Sequence, residues 1–184
     1  AAGNAGVPAI SATLSATDLS VDEWAIAQFS GGASLKWPRL DVSEAVFGFA
    51  DGGKFTARGG WDFNTKELIG AAAQGTVRPA AVRRWLPETL AFESLEFSAT
   101  ASGSLAALRH EGRAELAGLK WGTLSPIGAT AVWKGEGRAV EISQAQLRAG
   151  KAAVDLAGTF TATGARVSAF KFSGDGVERL ALRK

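Results

Sequence analysis

His110 is the chain's only histidine, so any triad or general-base chemistry that uses an imidazole must use it. It stands in Leu108-Arg109-His110-Glu111-Gly112, which reads as a turn entering a strand from Arg113, and no nucleophile-elbow motif supplies a serine for it. The carboxylates do not pair either. Glu93 and Glu96 fall on opposite faces of an alternating segment, and Asp18, Asp22 and Glu23 read as turn charges. Gly52-Gly53-Lys54 and Gly150-Lys151 share only their last residues with a phosphate loop, and both lead into strand-like segments rather than a helix N-terminus. With no cysteine there is no thiolate nucleophile, zinc-thiolate or iron–sulfur site, and one histidine builds no multi-histidine metal site. The residues point to no enzyme, no catalytic set, no metal and no cofactor.

What must be positioned instead is apolar surface. Of 184 residues, 36 are alanine, and Leu, Val, Ile, Phe and Trp together add 49, ordinary content for a chain that buries a core. The formal charge is +2, with no clustering or aromatic RNP string to mark a nucleic-acid partner. The apolar runs are far too short to span a bilayer as helices. The opening AAGNAG, without Met, suggests a piece of a longer protein whose targeting segments lie elsewhere.

The dominant period is two. Leu95-Phe97-Ala99 alternates with Glu96-Ser98-Thr100, Ile127-Ala129-Ala131-Trp133 with Gly128-Thr130-Val132-Lys134, and Val154-Leu156-Gly158-Phe160 with Asp155-Ala157-Thr159-Thr161. Similar runs cover 12–16, 24–29, 45–49, 54–65, 113–121, 138–149, 166–172 and 180–184. The phase slips between Val140/Ile142 and Ala145/Leu147/Ala149, which predicts a bulge or a chain bending to follow a curved sheet. Gly31-Gly32, Asp51-Gly52-Gly53, Gly59-Gly60, Gly135-Glu136-Gly137, Gly150 and Gly174-Asp175-Gly176 read as turns, spaced as in a meander.

The fold expected is all-β: an elongated antiparallel meander of roughly 10–14 strands, curled into an open U-shaped groove. One short amphipathic helix is expected near 79–90, with Pro79 at its start and Trp85 and Leu86 inward. The chain reads as one segment, 1–184, in which two divergent repeats (about 10–77 and 91–184) flank the helix. The echo of Ser34–Leu40 in Gly118–Leu124, and of Gly53–Gly60 in Gly150–Gly158, supports the repeats. The expected groove lining is Leu35, Trp37, Phe47, Phe49, Phe55, Trp61, Phe63, Leu95, Phe97, Leu116, Trp121, Trp133, Ile142, Leu156 and Phe160. In a closed sandwich the same residues would be packed core, which makes a structural or adhesive β-sandwich or solenoid module the alternative. Sugar binding on exposed tryptophans is weakened by the scarcity of amides, with Asn only at Asn4 and Asn64.

The stretches GSLAALRHEGRAELAGLKWGTL and AVWKGEGRAVEISQAQLRAGKAAVDLAGTF resemble the AsmA-like (TamB) family of bacterial envelope proteins. Ala149–Gly158 resembles that family's recurrent unit, and Val82-Arg83-Arg84-Trp85-Leu86-Pro87 its segment before a new strand block. The resemblance implies a repeat-containing β-groove that carries phospholipid acyl chains between inner and outer membrane, without catalysis. It also implies a periplasmic location, a parent protein anchored in the inner membrane, neighbouring segments of the same chain as partners, and an outer-membrane assembly protein as a further partner.

Overall fold

The computed structural model describes residues 8–21, 24–83, 87, 89–121 and 127–174. Twelve strands form: β1 (Ala9–Val21), β2 (Trp24–Lys36), β3 (Arg39–Phe49), β4 (Lys54–Asp62), β5 (Glu67–Val77), β6 (Leu90–Ala91), β7 (Ser94–Ser104), β8 (Arg109–Trp121), β9 (Ile127–Glu136), β10 (Ala139–Ala149), β11 (Ala152–Thr161) and β12 (Gly164–Ser173). Eleven of them lie side by side in chain order, every pairing antiparallel, and the two-residue β6 attaches to β8 off this path. This is the all-β open meander that period-two alternation demands.

The helix is α1 (Pro79–Val82), a single turn with proline at its start and no buried residue. As described it is shorter than 79–90. Pro87 cannot donate to a helical ladder, and Leu90 and Ala91 pair with Trp121 and Lys120 as strand. Trp85 and Leu86, like the run at 180–184 and the turn at Gly176, lie outside the described residues.

Two expected turns are not turns. Gly31-Gly32 lies inside β2 and Gly59-Gly60 inside β4. Gly59 adopts φ +152° at a bulge, and a Cβ there would come within 2.7 Å of the Ala71 Cα on β5. The glycine is needed for close approach, not for chain reversal. The chain reverses elsewhere, at Trp37-Pro38 and Phe63–Lys66 among other places. The expected strand 54–65 therefore ends at Asp62, whose Oδ1 accepts hydrogen bonds from the Asn64 and Thr65 N–H groups and closes the turn.

The phase slip in β10 is a bulge, placed between Ile142 and Ala145 against β11. It has a counterpart in β3, between Val42 and Ala45. The local sequences are Val42-Ser43-Glu44-Ala45 and Ile142-Ser143-Gln144-Ala145. In each, the serine hydroxyl donates to a carbonyl on the preceding strand, Gly32 (3.1 Å) and Val132 (3.3 Å). The hairpins β3–β4 and β10–β11 are thus built alike, six places apart in the sheet. The echo of Gly53–Gly60 in Gly150–Gly158 fits this correspondence. The echo of Ser34–Leu40 in Gly118–Leu124 joins β2 to β8, five places apart.

The sheet is one layer thick. Each strand's substantial contacts are with its hydrogen-bonded neighbours, and the sheet stays open rather than curling into the expected U. Among the described residues the buried apolar side chains are Ala45, Phe49 and Phe92, and no polar side chain is buried. The chain exposes 13090 Å². A compact protein of this mass exposes about 8,400 Å².

Candidate functional site: an uncovered apolar face

Register decides which residues share a face, because antiparallel partners point the same way. One row crosses all eleven strands: Ala16, Phe29, Phe47, Phe55, Gly75, Phe97, Ala114, Ala131, Ala145, Leu156, Phe170. Beside it runs Leu14, Gly31, Ala45, Ala57, Ala73, Ala99, Gly112, Trp133, Ile142, Gly158, Val167 on the same side. On the other flank lie Val77, Leu95, Leu116, Ala129, Leu147, Val154 and Phe172. Near the β2–β3 turn, Ile10, Leu35, Leu40, Trp61 and Leu68 complete the face, and Val140 pairs with Phe160. No charged residue enters any of these rows.

Thus Leu35, Phe47, Phe55, Trp61, Leu95, Phe97, Leu116, Trp133, Ile142, Leu156 and Phe160 come together on one face, with Phe49 beside Phe55 (ring centroids 5.9 Å). Trp37 and Phe63 do not lie in the strands. They sit in neighbouring turns, stacked at 5.5 Å and 11°, 59% and 41% exposed. Trp121 pairs with Leu90 by its backbone, and its side chain lies outside what the structure describes.

The face is held by its own side chains. Phe29, Phe47 and Phe55 form a ladder with centroids 5.0 and 4.4 Å apart, and each such pair is worth about 0.5–1.5 kcal/mol beyond its area. Glycines leave room for rings to lie flat. A Cβ on Gly112 would meet Trp133 Cζ2 at 2.5 Å, while one on Gly75 would meet the β4 backbone at Phe55 Cα, 2.5 Å away. Most of these side chains are therefore half-buried without a layer above them. At the edges even this shielding fails: Ile10 and Leu14 on β1, and Val167, Phe170 and Phe172 on β12, are exposed.

Sequence reasoning missed Phe29 and the β1 residues as members of the face. Reading Gly31-Gly32 as a turn cut the alternation that links Leu35 through Ala33 and Gly31 to Phe29. It also misplaced His110, which lies within β8 on the apolar side, opposite Ala101 and Gly135. A Cβ on Gly135 would collide with its ring.

The opposite face is polar. One row reads Arg58, Ala72, Thr100, Glu111, Lys134, Glu141, Thr159, Arg166, and its opposite charges meet across strands, with Lys134 Nζ 3.3 Å from Glu141 Oε2. Three broad, open depressions of about 640, 880 and 490 Å³ lie mainly over these polar rows. Of the expected lining residues only Phe55, Phe97 and Trp133 border them, so the apolar face is an uncovered wall rather than the floor of these depressions. Among the described residues no cluster of His, Asp or Glu could hold a metal ion, and no helix is long and apolar enough to cross a membrane.

The class the fold and face define is an open single-layer antiparallel sheet, apolar on one side and charged on the other. No family model, no curated protein and no solved structure matches the chain.

Proposed function

We propose that the chain is a non-enzymatic lipid-binding segment, whose apolar face carries the acyl chains of phospholipid. One observation supports this above all: an apolar face eleven strands wide with no second layer over it among the described residues. Such a face must be covered in water, and covering it with acyl CH₂ groups gains about 0.8 kcal/mol each. Its rows repeat Ala, Gly, Leu and Phe without a polar anchor, so no position along it holds a chain much more tightly than the next. That uniformity suits passage along the sheet. The resemblance to AsmA-like proteins extends the reading to transfer between inner and outer membrane by a periplasmic, inner-membrane-anchored parent. There, neighbouring segments would continue the sheet and an outer-membrane assembly protein would be a partner.

The test is native mass spectrometry of the purified chain, with lipid extraction and uptake of a fluorescent acyl probe. Co-purified phospholipid, and probe uptake lost in Phe97→Asp with the β-sheet circular dichroism intact, is the expected result. A clean apo mass with no uptake would sink the reading and leave the face as the seat of another protein surface.

A further inference from the structure

We infer that the rim bearing Trp37 and Phe63 docks on a phospholipid bilayer, with these two rings entering the boundary between headgroups and acyl chains. The turns β2–β3, β4–β5, β7–β8, β9–β10 and β11–β12 all lie at one end of the strands. Three of them present large apolar side chains to solvent: Trp37 (59% exposed), Phe63 (41%) and Leu105 (71%). Trp37 and Phe63 are held as a unit, their rings stacked and the Phe63 N–H donating to the Pro38 carbonyl at 3.0 Å.

The fold does not require this pair. The corresponding turns of the second half reverse the chain at Gly137-Arg138 and Ala162-Thr163, with no aromatic residue. The rings also protrude, whereas an anchor for a protein partner is set in a closely packed, desolvated patch. A stacked Trp–Phe tip, apolar in body and with an indole N–H to leave at the wet boundary, suits a soft interface.

The charges around the tip complement phospholipid. Arg39 is held by Asp41 (2.7 Å), and Asp62 is turned onto its own loop. Lys36 and Lys66 flank the rings and form no ion pair among the described residues, facing headgroup phosphate, with Glu67 as the acidic neighbour beside Lys66. Trp37 follows Leu35, and Phe63 follows Trp61, by two residues, so the tip continues the apolar face to its rim. Docked there, the face opens directly onto the acyl region of the bilayer. This deepens the lipid-binding reading and rests on it for what the docked chain delivers.

The experiment is flotation of the full chain with phosphatidylethanolamine/phosphatidylglycerol vesicles, alongside probe uptake in vesicle-free solution. Trp37→Ser/Phe63→Ser should lower the vesicle-bound fraction by about tenfold, the loss of two partly buried rings, while probe uptake and circular dichroism stay as in the parent. A Trp37→Phe/Phe63→Trp exchange should restore flotation. Phe97→Asp should do the reverse, losing uptake and keeping flotation. The inference is overturned if the parent does not float, if the serine variant floats as the parent does, or if flotation is lost only with Phe97→Asp. Flotation that depends on the rim without any probe uptake would keep the docking site and remove the lipid-carrying face.

Discussion

At Gly112 the Trp133 ring fills the space a side chain would take, and the Ser98 carbonyl closes it from the other strand at 2.6 Å. Gly112→Val must lift the ring off the sheet or spread β7 from β8. We expect a loss of about 1–3 kcal/mol, typical of overpacking, seen as a lower urea midpoint and a red-shifted tryptophan emission. An unchanged midpoint would mean that Trp133 already stands free of the sheet. The alternation of Ile127, Ala129, Ala131 and Trp133 was legible in the sequence and names the face correctly. The glycine beneath the ring was not, because Gly112 and Trp133 are 21 positions apart and only register brings them opposite. The same gap explains Gly31 and Gly59. A glycine that admits a neighbour and a glycine that turns the chain look identical until the neighbour is known.

A bulge lets a strand change phase in sequence while keeping one face in space, and the slip in β10 could be read directly from Ile142 and Ala145. In β3 the same device was hidden, since the alternation legible there covers 45–49 and leaves Val42 outside it. Ser143 is the extra residue of its bulge, spanned by Trp133 and Val132 on β9. Deleting it should restore strict alternation, leaving Ile142 and Ala145 on their present face. The far-UV spectrum should persist, and the cost should stay near the one hydrogen bond lost, about 0.5–1.5 kcal/mol. Deleting Val132 from the bulge-free β9 is the contrast. It turns Ile127, Ala129 and Ala131 to the polar side and should abolish cooperative unfolding. Equal damage from both deletions would refute the bulge as a phase corrector.

For the whole molecule, stability accumulates along one axis. Among the described residues each strand's substantial contacts are with its hydrogen-bonded neighbours, as in a solenoid, where the total is a sum of units and nearest-neighbour interfaces. This was only partly legible: alternation predicts one apolar face per strand, but a face closed against a second sheet and a face left open have the same pattern. The excess exposed area separates them. β12's substantial contacts are with β11, and all ten of its residues are exposed. A chain ending at Ala162 should therefore keep β1–β11, with amide hydrogen-exchange protection lost in β11, now the edge, and unchanged from β2 to β9. A packed sandwich responds differently, because an edge strand there shares its core with the facing sheet and its removal loosens residues on both. Protection falling uniformly across the truncated chain would show that the strands share a common core, and that the apolar face is covered in solution.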